Sequence, residues 1–160
     1  MASTYEPIAT TTASGSVSTI TFSSISSSFT DLILVVQGTT STADEWGLRV
    51  NSDTGTNYST TWLQGNGSIA QSSRYSNKTF GLIGYMRTTI SSAIIQLQNY
   101  SNTTTYKTIL SREADGTDGV WANVTLWRNT AAINSITLYA LNNYNYSNST
   151  TFTLYGIKAA

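Results

Sequence analysis

Apolar residues in this chain recur with a period of two, and nowhere with the 3.6-residue period of a helix. Short runs rich in Val, Ile, Thr and aromatic residues return about every ten to fifteen positions, bounded by Gly, Asn, Asp and Ser. The pattern predicts strands near Val17–Phe22, Asp31–Gln37, Trp46–Asn51, Tyr58–Gln64, Thr79–Arg87, Ala93–Gln98, Thr105–Ser111, Val120–Arg128, Ser135–Leu141 and Thr151–Ile157. Between them, Asp53-Thr54-Gly55, Gly65-Asn66-Gly67, Asn99-Tyr100-Ser101-Asn102, Asp115-Gly116-Thr117-Asp118-Gly119 and Asn142 to Ser149 carry turn chemistry. Without crossover helices, such a series predicts an all-β fold: an antiparallel jelly-roll-like β-sandwich of about 8–10 strands. An up-and-down barrel is the alternative.

At 160 residues and 17.3 kDa the chain suits one domain. The reading is a sandwich over residues 16–160, preceded by an extended or flexible amino-terminal arm over residues 1–15. The arm is Ser/Thr-rich and bland except for Tyr5 and Ile8, which could order it against a neighbouring subunit. Eight basic and eight acidic side chains cancel, and they form no stripe, so nucleic acid is not an expected partner. Only 10% of residues are charged, so solubility rests on neutral polar groups: Ser, Thr and Asn fill 64 positions. No Cys and no His is present, which removes disulfides, thiol nucleophiles, iron–sulfur and zinc-finger sites and every triad with an imidazole base. Met1 to Pro7 lacks the pattern of a secretory signal, and the longest apolar run, Leu32 to Val36, is far too short to span a bilayer. The expectation is a product of the cytosol with no membrane partner.

Several strands leave no polar face. Val120, Ala122, Val124 and Leu126 alternate with Trp121 and Trp127 around Asn123 and Thr125. Leu32, Leu34 and Val36 are opposed by Ile33 and Val35, and Ile95 and Leu97 by Ile94. One sandwich gives each sheet a single core face, so the second apolar face must meet a loop, another layer or another chain. Burying an indole removes roughly 150–250 Å² from water, which at about 25 cal/mol per Å² contributes several kcal/mol before the costs of association. The chain therefore reads as a homo-oligomer, with Tyr5, Ile8, Ile33, Val35, Trp121 and Trp127 as interface candidates.

Candidate chemistry is thin. Asp53-Thr54-Gly55 matches the aspartic-protease triplet, but it follows Arg49-Val50-Asn51-Ser52 rather than an apolar strand and reads as a turn. Glu113, Asp115 and Asp118 have the hard oxygen donors calcium prefers, yet Asp118 and Val124 stand where an EF-hand needs glycine and a bidentate glutamate. No metal and no cofactor are expected, and the chain does not read as an enzyme. The sequons at Asn57, Asn66, Asn77, Asn99, Asn102, Asn123, Asn145 and Asn148 reflect turn composition. The loop holding Asn143, Tyr144, Asn145 and Tyr146 mixes aromatic faces with hydrogen-bonding amides and is the candidate ligand loop, suited to a host glycan.

Longer motifs carry a resemblance. They are Tyr5-Glu6-Pro7-Ile8-Ala9-Thr10-Thr11-Thr12, Ile20-Thr21-Phe22-Ser23-Ser24-Ile25, Phe29-Thr30-Asp31-Leu32-Ile33-Leu34-Val35-Val36, Asn51-Ser52-Asp53-Thr54-Gly55-Thr56-Asn57-Tyr58-Ser59, Asn99-Tyr100-Ser101-Asn102-Thr103-Thr104, Leu126-Trp127-Arg128-Asn129-Thr130-Ala131-Ala132-Ile133 and Phe152-Thr153-Leu154-Tyr155-Gly156-Ile157-Lys158. Together they resemble, over essentially the whole chain, a family of small virion structural proteins of tailed phages that infect aquatic bacteria. Members have a proline after the Ser-Ser-Ile stretch where Ser26 stands here. The resemblance implies a component of the particle exterior, assembled in the host cytoplasm. Its expected role is a head decoration or cementing subunit, a homo-oligomer and most simply a trimer, touching other virion proteins such as the major capsid protein. A fibre or tail-appendage adhesion module that binds a host surface glycan is the second expectation.

Overall fold

The structure, a computed structural model, describes residues 4–117, 119–142 and 144–158. Twelve strands, and no helix among those residues, make two antiparallel sheets. They are β1 (Tyr5–Thr12), β2 (Thr19–Phe22), β3 (Asp31–Gly38), β4 (Asp44–Val50), β5 (Tyr58–Gly65), β6 (Ala70–Lys78), β7 (Gly81–Met86), β8 (Ser91–Leu97), β9 (Lys107–Asp115), β10 (Gly119–Trp127), β11 (Ile136–Ala140) and β12 (Thr151–Ile157). The large sheet has the order β1-β12-β3-β8-β9-β10-β5-β6, and the small sheet β2-β11-β4-β7. This is the jelly-roll-like sandwich expected, with two strands more.

Both extra strands are made by pairing rather than by their own pattern. In β6, Ala70-Gln71-Ser72-Ser73-Arg74-Tyr75-Ser76-Asn77-Lys78 has no apolar alternation and is exposed almost throughout, but it continues the ladder of β5 from Gly65↔Ala70 onward. The other is β1, which corrects the amino-terminal arm: Tyr5 to Thr12 pair along β12, from Tyr5↔Ile157 to Thr12↔Thr151. Residues 5–12 are therefore extended and form an edge strand of the large sheet, laid on β12 of the same chain. Pro7 is tolerated because β1 is an edge and its ladder is irregular between Pro7 and Ala9.

Leu32, Leu34 and Val36 of β3, Ala93, Ile95 and Leu97 of β8, and Phe152 and Leu154 of β12 face the small sheet's Ile20, Phe22, Trp46, Leu48, Val50, Ile136 and Leu138. Tyr100 and Ile133 join this core, linked by the Ile133 N–H to the Tyr100 carbonyl at 2.9 Å. Beyond β7 the small sheet stops, so one side of that strand would lie unpaired inside the molecule. Side chains of the large sheet complete it. Thr60 Oγ1 accepts from Leu82 N at 3.1 Å, Thr125 Oγ1 donates to Leu82 O at 3.3 Å, Ser111 Oγ donates to Ile83 O at 2.7 Å, and Asn123 Nδ2 donates to the same oxygen. These four polar residues sit on the inward parity of β5, β9 and β10 because a buried strand edge needs partners there.

Candidate functional site

With the inward parity of the large sheet assigned, its opposite face is fixed by register. One row across the strands reads Val35, Ile94, Arg112, Ala122 and Leu63. The next reads Ile33, Gln96, Leu110, Val124 and Thr61, and on the other side Gln37, Ser92, Ala114, Val120 and Gly65. No layer covers them, Ile33 apart: Leu63 is 59% exposed, Val120 57%, Val124 48%, Ile94 42% and Val35 37%. The small Ala114 and Ala122 lie between taller neighbours, leaving two adjoining depressions of about 510 and 490 Å³ that share Leu63, Ile94, Arg112 and Ala122. Arg112, at their junction, has no hydrogen bond or ion pair among the described residues. The outward carboxylate of these strands, Asp31, lies at the far end of β3 and accepts the Asn99 N–H at 2.7 Å. The face is thus an apolar surface with one central unpaired cation.

Among the interface candidates, Ile33 and Val35 lie on this face as expected, Val35 exposed and Ile33 almost covered. Tyr5 is exposed on the edge strand, set edge-on to Tyr155 at 6.5 Å, and Ile8 packs against the core. Trp121 and Trp127 do not belong there. Both are buried on the inward face: Trp121 lies 5.0 Å from Trp62 and stacks on Tyr85 at 5.9 Å, and Trp127 donates its indole N–H to Asp53 Oδ2 at 2.7 Å. The parity of β10 is as the sequence shows, but the two faces are exchanged. The aliphatic row Val120, Ala122 and Val124 points outward.

The candidate ligand loop is also corrected. Tyr144 and Tyr146 are buried at an end of the sandwich, Tyr144 donating its hydroxyl to Glu45 O at 2.7 Å and Tyr146 packing edge-on to Phe152 at 4.9 Å. Main-chain bonds pin the segment, Tyr146 N to Val17 O at 2.8 Å and Ser41 N to Asn145 O at 2.8 Å. Asn143 lies outside the described residues. The Asp53 triplet is a turn: its carboxylate accepts Gly55 N, Asn57 Nδ2 and Trp127 Nε1. Burial opposes the charge of Asp53, but these donors together hold its carboxyl below the usual range.

The acidic cluster separates. Asp115 closes its own turn on Thr117 N at 2.7 Å and pairs with Arg87 at 3.2 Å, and Asp118 lies outside the described residues. Glu113 points into the core, where Oε2 accepts Trp46 Nε1 and Tyr85 N, both at 2.8 Å, and Oε1 has no partner. Burial pushes this carboxyl up to about 7 despite the two donors. Among the described residues no three Asp or Glu side chains converge on one point.

No protein-family model and no curated protein matches the chain. Among solved structures it is similar to the Caenorhabditis elegans galectin LEC-6, at 8% identity over 90% of this chain and 94% of that one, with a TM-score of 0.41. It is also similar to the alginate lyase Aly36B, seen as a double mutant in complex with an alginate tetrasaccharide, at 10% identity over 82% of this chain and 72% of that one, with a TM-score of 0.31. At such identities the likeness is one of sandwich architecture alone.

Proposed function

We propose that this chain is a structural subunit on the exterior of a phage particle, a head decoration or cementing protein that works by burying the outer face of its large sheet against neighbouring subunits. The observation that supports this is the uncovered patch of Leu63, Val120, Val124, Ile94 and Val35, since soluble monomers rarely leave so continuous an aliphatic surface in water. Such a subunit acts mechanically: contact area added across subunit boundaries resists expansion or rupture of the particle. A homo-oligomer fits best as a ring, the trimer being the simplest. A two-fold contact would set Arg112 against its own copy, so the ring closes through other surfaces and leaves this face to a different virion protein. The adhesion reading rested on Tyr144 and Tyr146, and with both inside the sandwich that loop offers a glycan no aromatic platform.

The test is docking to particles assembled without this chain, followed by electron cryo-microscopy, with wild type and Val124→Asp compared. Wild type should coat the particle and Val124→Asp should stay in solution while melting at the same temperature. Equal coating by both overturns the proposal.

A further inference from the structure

We propose that the outer face of the large sheet seats an extended segment of a different protein chain, one that carries a carboxylate between two aliphatic side chains, and that Arg112 is the anchor for that carboxylate. This rests on the preceding reading that the face is a contact surface, and it names the kind of partner.

The charge pattern supplies the first reason. Arg112 stands unpaired among Ile94, Ala122 and Leu63 with no carboxylate within its row or the rows beside it. Covering the face with a purely apolar surface would bury that guanidinium without a partner, which is costly, whereas a carboxylate meets its planar fork with two parallel hydrogen bonds. A second copy stacked on a two-fold axis brings like charge to like charge.

Spacing supplies the second. The two depressions lie on either side of Arg112 along the strand direction, one towards Val120 and one towards Val124. Val120 and Val124 are four residues apart on β10, so the outer walls of the two depressions stand about 14 Å apart. An extended chain repeats its side chains on one face every two residues, at about 6.8 Å. A segment with aliphatic residues two before and two after an acidic one therefore reaches into both depressions and sets its carboxylate over Arg112. An amphiphile with its acid at one end fills only one. The depressions are open troughs, which suits a chain segment rather than a small ligand that needs enclosure.

The segment of this chain nearest to that pattern, Phe29 to Ile33 around Asp31 with an aromatic ring at one of the two positions, cannot serve, because β3 is already paired on both sides by β12 and β8.

The experiment uses the full chain on an array of immobilised twelve-residue peptides with Glu, Gln or Lys at the centre and Val or Ser two residues to each side. Wild type should bind the Glu-centred, Val-flanked peptides at least tenfold more tightly than their Gln, Lys or Ser counterparts. Arg112→Gln should abolish that preference, and Arg112→Lys should keep part of it. Arg112 is exposed and unpaired, so both variants should melt like wild type. Equal binding to Glu and Lys centres, preference surviving in Arg112→Gln, no binding at all, or binding of decanoate with no binding of peptides would each overturn the inference. Particle docking separates the two levels: docking lost in Val124→Asp but kept in Arg112→Gln leaves the contact face standing and removes the acidic partner, and docking kept in both removes the contact face itself.

Discussion

Trp46 and Glu113 join the two sheets through one hydrogen bond, the indole N–H of β4 donating to the carboxyl of β9 at 2.8 Å. The same oxygen accepts Tyr85 N, and the other oxygen, like the buried Tyr146 hydroxyl, has no hydrogen-bond partner. Glu113 is surrounded by Arg87 and Tyr85 from the β7 side, Asp115 on its own strand, and Tyr144 and Tyr146 from the loop before β12. Burial lifts its carboxyl from 4.5 to about 7, so between those values the folded state holds a proton that the unfolded chain has lost. Stability from this group is then full below pH 4.5 and falls as pH rises towards 7, by on the order of 3 kcal/mol. Urea midpoints of Glu113→Gln should lack this slope, and the variant should be the more stable protein above pH 7. Parallel pH profiles for the two would refute it.

Gly84 makes that arrangement possible. A methyl group on its Cα would overlap Glu113 Oε2, and the acceptor is fixed by two donors. Gly84→Ala should therefore destabilise by about 2–4 kcal/mol, the cost of overpacking plus the displaced hydrogen bonds. Adding Glu113→Ala should recover part of the loss, because the methyl then fills the space the carboxyl leaves. A double-mutant cycle with no coupling would show that the two residues do not meet.

The alternation of Leu32, Leu34 and Val36 with Ile33 and Val35 is enough to show which residues of β3 share a face and that its second face is apolar. Ten of the strands were legible in the same way. In β10 the alternation gave the two faces but not which was inside. Asn123 and Thr125 look solvent-directed, and only the position of β7, a long-range fact of topology, shows that they serve its backbone. That misdirection put Trp121 and Trp127 on the wrong side and hid the cation at Arg112, which reads as an ordinary surface residue until its row is known. The tyrosines of the Asn142–Ser149 loop misled for a related reason: local polarity describes the chain, whereas burial of Tyr144 and Tyr146 depends on β4 and β12. For β1 and β6 no local signal exists, because both are strands through their neighbours' ladders.

Asn123 and Ser111 share a carbonyl, Ile83 O, and the Asn123 amide also donates to Ser111 Oγ at 3.0 Å. Asn123→Ala should cost about 2–3 kcal/mol, since it leaves the β7 edge short of a donor in a dry interior. Ser111→Ala should cost less, with Asn123 still in place. Losses in the double variant should fall short of the sum by 0.5 kcal/mol or more, as roughly expected for two donors to one acceptor. Chemical denaturation of the four proteins reads this directly.

Tyr144 and Tyr146 differ by one hydrogen bond. Tyr144→Phe removes the donor to Glu45 O and should cost about 1 kcal/mol. Tyr146→Phe removes a buried hydroxyl that has no partner and should be neutral or slightly stabilising. Either residue changed to Ala should cost about 3–5 kcal/mol, as truncation of a core aromatic does. Alanine variants that melt like wild type would return the tyrosines to the surface.

Ile94 and Ile95 are adjacent, identical in chemistry and opposite in orientation. Ile95 faces Leu34 and is fully buried, so Ile95→Ser should cost about 4 kcal/mol or more through the cavity and the unpaired hydroxyl. Ile94 stands on the outer face, 42% exposed, and Ile94→Ser should change the stability of the isolated subunit by less than about 1 kcal/mol. Its effect should appear in association. Titration with the Glu-centred, Val-flanked peptide should show Ile94→Ser binding several-fold more weakly than wild type, because the lost aliphatic area lies at the contact. Equal destabilisation by both serine substitutions would mean that Ile94 is core, and that this sheet has no second face to offer a neighbour.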